Sequence, residues 1–155
     1  MINKETLLTI GILSPVVEKW KKILGLAGWD LSLAICSEES MKNRIATFNG
    51  DPIDKNDDEI VLGCVTHCYP VEQCATVQFI REAPKHFGNM INLDTLVCHE
   101  LIHVLVRAEF DRLPKAAQKS KKLGELEEFI ADRFSYIMTK AIGQTYPDNG
   151  GSFFR

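Results

Sequence analysis

Two stretches of helical apolar spacing, joined by a short proline-containing connection, constrain this 155-residue chain more than any other feature. In residues 93–109, Val97, Leu101, Val104, Leu105 and Ala108 fall on one stripe. Residues 123–142 repeat the pattern with Leu126, Phe129, Ile130, Phe134, Ile137, Met138 and Ala141. Each predicts an amphipathic helix, because apolar side chains three and four positions apart share a face at 3.6 residues per turn. Asn92 or Asp94 stands where an N-cap for the first helix is needed. The connection over 111–120, interrupted by Pro114, is long enough for the second helix to return antiparallel against the first. Gly143 is expected to end that helix, with Pro147, Asp148, Asn149, Gly150 and Gly151 in a flexible tail.

Upstream, Val16, Val17, Trp20, Ile23, Leu24 and Ala27 predict a helix over 14–27, with Ser14 as N-cap and Pro15 in its first turn. Trp29 to Cys36 alternates apolar and polar residues as a half-buried strand does, and Trp20 and Trp29 are expected in the core. Residues 37–58 show little periodicity and read mostly as loop, with a short helix around Glu39 to Arg44. Ile60 to Tyr69 and Ala75 to Arg81 are β-branched and aromatic runs joined by a turn at Pro70 to Cys74. The expectation is one α+β domain over residues 1–155, with its core at about 14–142. It would hold an N-terminal helix, a small, mainly antiparallel three-stranded sheet and two C-terminal helices. A composition of 45% hydrophobic and 25% charged residues suits one such core.

A formal charge of −3 argues against direct nucleic-acid binding, which needs a concentrated positive field. The one basic run, Lys115, Lys119, Lys121 and Lys122, has no interleaved aromatics and reads as a solvated loop or helix start. No stretch approaches the roughly twenty apolar residues of a membrane span. Leu7 to Val17 is apolar, but only Lys4 precedes it, beside Glu5, and no small-residue cleavage site follows. Five cysteines, an odd count in a chain large enough to fold without staples, fit thiols in a reducing cytoplasm.

Inside the first predicted C-terminal helix, His99-Glu100-Leu101-Ile102-His103 places two imidazoles one turn apart on one face. The apolar stripe lies roughly opposite, so the helix can anchor in the core and still present the pair to a cleft. Zinc suits such a pair, since it takes nitrogen and oxygen ligands tetrahedrally and keeps a fourth position for water when catalytic. The next helix offers Glu125, Glu127 and Glu128 as a third ligand. Only Glu128 has a carboxylate, Asp132, four residues on, so one can bind metal while the other accepts the outer N–H of a ligand histidine. Glu125 and Glu127 read as solvated neighbours. Glu100, between the two histidines, suits a proton acceptor for the water, passing the proton on to a leaving amine. Tyr136, two turns beyond Glu128, is a candidate oxyanion donor, and His67, Tyr69, His86 and Arg107 are further ones. A second site from Cys64, His67, Cys68 and Cys74 is disfavoured, because alternation along a strand sets His67 opposite Cys64 and Cys68. Cys98 reads as a packing residue.

These residues resemble those of the gluzincin metallopeptidases, whose ligands are the two histidines of H-E-x-x-H and a glutamate within E-x-x-x-D or E-x-x-x-N on a following helix. Glu128-Phe129-Ile130-Ala131-Asp132 fits that pattern, and the run to Phe134 is similar to the ligand helix of the compact ImmA/IrrE-like metallopeptidases of bacteria and phages. Ile102 stands where that family commonly has glycine. The resemblance implies a zincin-like fold, one catalytic Zn2+ on His99, His103 and Glu128, Glu100 as general base, a peptide or protein substrate, and Ala75 to Arg81 as a strand pairing with it. A zinc-binding regulatory or interaction module without turnover is the alternative, which the presence of Glu100 disfavours.

Overall fold

The computed structural model describes residues 2–48 and 60–145. Helix α1 spans Ile10–Ile23, earlier than the periodicity suggested. Thr9, in extended backbone, is the true cap: its hydroxyl accepts the Ile12 N–H at 3.2 Å. Pro15 therefore lies inside the helix. The Gly11 carbonyl that its missing N–H would have met is on an exposed residue, where water can satisfy it. The core likewise begins before residue 14, since Leu8 and Leu13 are buried with Val17 and Trp20.

Strand β1 (Asp30–Cys36) leads into α2 (Glu38–Phe48), a longer helix than the short one expected in that stretch. Asn49, Gly50, Asp51, Pro52, Asn56, Asp57 and Asp58, read as loop, lie outside the described residues. Strands β2 (Gly63–Tyr69) and β3 (Cys74–Ile80) follow, joined by a turn in which Gln73 takes a positive φ of 51°. The sheet order is β1-β3-β2. Strand β3 runs antiparallel to β2 but parallel to β1, so the sheet is mixed rather than mainly antiparallel. The physical reason lies in the connection: a segment of some length carrying α2 separates β1 from the hairpin, and such a crossover lets strands align in the same direction.

The register assigns faces. Leu31, Leu33, Ile35, Ala75, Val77 and Phe79 share one face with Gly63 and Val65, and that face meets Glu100 of α3 (Leu93–Phe110). The other face carries Cys64, whose Sγ lies 3.6 Å from Met41 Sδ of α2. Between Val65 and His67 the register slips by a β-bulge. The extra residue reverses the alternation, so His67 shares the face of Cys64 and Cys68 lies on the opposite one, contrary to a regular strand.

Helix α3 is capped as the sequence indicated: Asn92 Oδ1 accepts the Thr95 N–H at 2.9 Å. Its N-terminal turn is tied to α1 through Asp94, which accepts from Trp20 Nε1 at 2.9 Å and pairs with Lys19. Buried Leu96, Val97, Leu101 and Val104 seat it in the core. After a short α4 (Lys115–Gln118), α5 (Lys121–Thr145) packs along α3, with Ala131 and Ser135 buried. Gly143 does not stop this helix, which continues to Thr145. Pro147, Asp148, Asn149, Gly150 and Gly151, read as a tail, lie outside the described residues. Among the described residues no helix is long and apolar enough to cross a membrane.

Candidate metal centre

The core-facing stripe of α3 fixes its rotation, and that rotation turns His99 and His103 toward α5. Their Nε2 atoms are 3.1 Å apart. From α5, Glu128 places one carboxylate oxygen 3.2 Å from His99 Nε2 and the other 3.2 Å from His103 Nε2. His99, His103 and Glu128 thus form a group able to hold a metal ion, the one such cluster among the described residues.

The outer nitrogens identify which lone pairs converge. His103 Nδ1 lies 2.7 Å from Glu127 Oε1, and His99 Nδ1 lies 3.2 Å from Asp132 Oδ1. Ionised carboxylates only accept, so each ring carries a proton on Nδ1, which leaves the Nε2 atoms facing each other and Glu128. The two Nε2 atoms are 3.1 Å apart and each lies 3.2 Å from a different Glu128 oxygen, a crowding of basic atoms that a cation or a proton among them relieves. Ligands about 2.0–2.1 Å from a tetrahedral ion stand roughly 3.3–3.4 Å from each other, close to the spacing found. Charge points the same way, because Glu100, Glu127, Glu128 and Asp132 surround the pair, with Arg107 paired to Glu127.

Burial opposes charging of His103, but its hydrogen bonds to Glu127 and Glu128 prevail and raise its pKa to about 9. The same imidazoles hold Glu128 well below the ordinary carboxylate range. Glu100 behaves oppositely: it is 4% exposed, and burial pushes its carboxyl up against the pull of His103 and His99. Gly63 makes room for it, since a Cβ there would come within 3.1 Å of Glu100 Cγ and of Phe79 Cδ1.

The centre opens into a cleft of about 710 Å³. One wall is the chain leading into β2, Ile60 to Gly63; the floor is Thr95, Leu96, His99 and Glu100; the opposite wall includes Glu128, Asp132 and Tyr136. Of the candidate oxyanion donors, Tyr136 alone lines this cleft. His67 contacts Thr66, and His86 lies beside Glu38 at the start of α2. Tyr69 stands at the far end of β2 from Gly63. Arg107 is committed elsewhere, donating from Nε to Glu127 at 2.8 Å and from Nη1 to the Val65 carbonyl at 3.0 Å.

Two expectations are corrected here. Glu127 is not a solvated neighbour: its side chain is 14% exposed and holds both His103 and Arg107. A clue was available, since an imidazole has two nitrogens and adjacent glutamates can approach both. Strand β3 cannot offer an edge to a substrate, because it is central and paired on both sides. The outer strand at the cleft is β2. Leu62 turns its carbonyl inward to Ile80 N–H, so Val61, Gly63 and Val65 direct theirs outward. Cys98 is fully buried in the core, and burial pushes its thiol to about 12, consistent with a packing role. Comparison of the chain with protein-family models, with curated proteins and with solved structures yields no match.

Proposed function

We propose that the chain is a zinc-dependent metallopeptidase of zincin-like fold, similar to the gluzincins. Its substrate would be a peptide or protein segment bound in the cleft. The observation that carries this reading is the convergence of two Nε2 atoms and a carboxylate at 3.1–3.2 Å beside a buried, pKa-raised Glu100. Zinc is preferred because two imidazoles and one carboxylate are its usual catalytic set, and when bound it polarises a carbonyl and acidifies water.

The remaining steps fall to the protein. Glu100 takes a proton on its carboxylate from the attacking water and returns it to the leaving amine; a carboxyl lifted above its ordinary range is the better base for this exchange. His103, held at Nδ1 by Glu127 at 2.7 Å, keeps its ring oriented, and the exposed Asp132 accepts from His99 Nδ1 at 3.2 Å. The Tyr136 hydroxyl, on the wall opposite β2, is the donor we assign to the developing oxyanion. The outward amides and carbonyls of Val61 and Gly63 would pair with an extended substrate. Five thiols in a chain whose core needs no staples fit a cytoplasmic setting.

The test compares zinc-loaded wild type with Glu100→Gln on a mixture of random-sequence decapeptides, with fragments read by mass spectrometry and zinc by elemental analysis. The variant should keep one zinc and lose at least a hundredfold in cleavage. Equal cleavage by both proteins, or a wild type that retains no zinc, overturns the proposal.

A further inference from the structure

The two histidines are held very differently. Asp132, the partner of His99, is 67% exposed and approaches Nδ1 to 3.2 Å, so water and salt screen it and its side chain is free to move. Glu127, the partner of His103, is 14% exposed, and one oxygen receives both the His103 Nδ1–H at 2.7 Å and the Arg107 Nε–H at 2.8 Å. Arg107 is in turn anchored by Nη1 on the Val65 carbonyl at 3.0 Å. Val65 is the last residue before the register slip in β2. The sheet, α3 and α5 thereby meet at one guanidinium.

We propose that Arg107 and Glu127 form a clamp that makes His103 the fixed ligand of the metal site, while His99 is the adjustable one. Arg107 touches neither metal nor substrate and acts through Glu127, as a positioning residue. The planar guanidinium suits this task because its Nε and Nη1 donors lie at a fixed angle, one for the carboxylate and one for the backbone; a lysine ammonium cannot reproduce both directions. The inference rests on His99, His103 and Glu128 binding zinc as proposed above.

Zinc affinity, measured by chelator competition, should fall ten- to a hundredfold in Glu127→Gln and in Arg107→Met, the range typical of lost outer-shell partners. Arg107→Lys should recover only part of the Arg107→Met loss, and Asp132→Asn should lose at least fivefold less than Glu127→Gln. In Co2+-loaded protein, the visible absorption of Arg107→Met should shift from wild type as His103 reorients. A readout that needs no variant is the exchange of imidazole protons in 15N-histidine-labelled, zinc-loaded wild type. One Nδ1–H, that of His103, should be protected from solvent and the other should exchange rapidly. Equal exchange at both rings, or an Arg107→Met affinity within twofold of wild type with an unaltered cobalt spectrum, overturns this inference and leaves the metallopeptidase reading standing. A wild type that binds no zinc overturns both.

Discussion

Replacing Gly63 by alanine tests how the fold makes space for Glu100. An added Cβ would stand 3.1 Å from Glu100 Cγ, 3.1 Å from Phe79 Cδ1 and 3.2 Å from the Gln78 carbonyl oxygen, each inside ordinary van der Waals contact. The carbonyl belongs to central strand β3 and Phe79 is fully buried, so neither yields cheaply. Glu100 borders the cleft, so of the three it is the neighbour with open space beside it. Overpacking of this kind costs about 1–3 kcal/mol. Gly63 is not among the positive-φ residues, so alanine also recovers about 0.4–1 kcal/mol through the unfolded chain. The net loss is then roughly 0–2.5 kcal/mol, at about 2–4 °C of melting temperature per kcal/mol for a chain of this size. The ligand atoms are not touched, so zinc affinity should stay within a few-fold. Glu100 must then give by a few tenths of an ångström, well short of the 1 Å misplacement that costs about a hundredfold, so if it serves as the proposed base, cleavage should fall by about two- to tenfold. Gly63→Ala with wild-type melting and wild-type cleavage would refute the claim that this glycine makes the space Glu100 occupies.

Zinc added at a hundred times its dissociation constant should stabilise the metal-free protein by about 2.7 kcal/mol, seen as a rise in melting temperature that His103→Ala abolishes. Leu101→Ala, at a fully buried position on the stripe of α3, should cost about 2–5 kcal/mol in denaturant unfolding. Asn92→Ala removes the acceptor of Thr95 N–H and should cost about 1 kcal/mol in the same experiment. At the start of α2, the Lys85 hydrogen bond lowers the Glu38 pKa against its burial. A lowered carboxylate stabilises the fold above its unfolded pKa, and the contribution disappears as pH falls through the depressed value. Lys85→Met should therefore flatten the acid limb of the stability curve below about pH 4.5 and change little near pH 7, since the ion pair it removes is solvent-screened.

Much of the centre is legible because it is local. His99 and His103, and likewise Glu128 and Asp132, are four residues apart, and one helical turn sets each pair on a common face whatever the rest of the chain does. The Asn92 cap and the apolar stripe of α3 are equally short-range, which is why its bounds were readable to within a residue. The start of α1 was misplaced because two local signals competed, and the Thr9 side chain outweighed the preference of proline for a first turn. Tyr136 could be put on the right helix from its number alone, but its place on the cleft wall depends on how α5 sits.

Sequence by itself therefore determined that His99 and His103 share one face of α3 with Glu100 between them, and that Glu128 and Asp132 share one face of α5, since both follow from helical period. Only the tertiary structure decided that Glu127 and Arg107 belong to the same centre. Glu127 and Glu128 are about 100° apart around α5, and no spacing rule says which nitrogen of His103 each will meet. That choice depends on how two helices cross. The direction of β1 and the slip at Thr66 are likewise pairings between residues distant in sequence, set by which partner each strand finds in three dimensions.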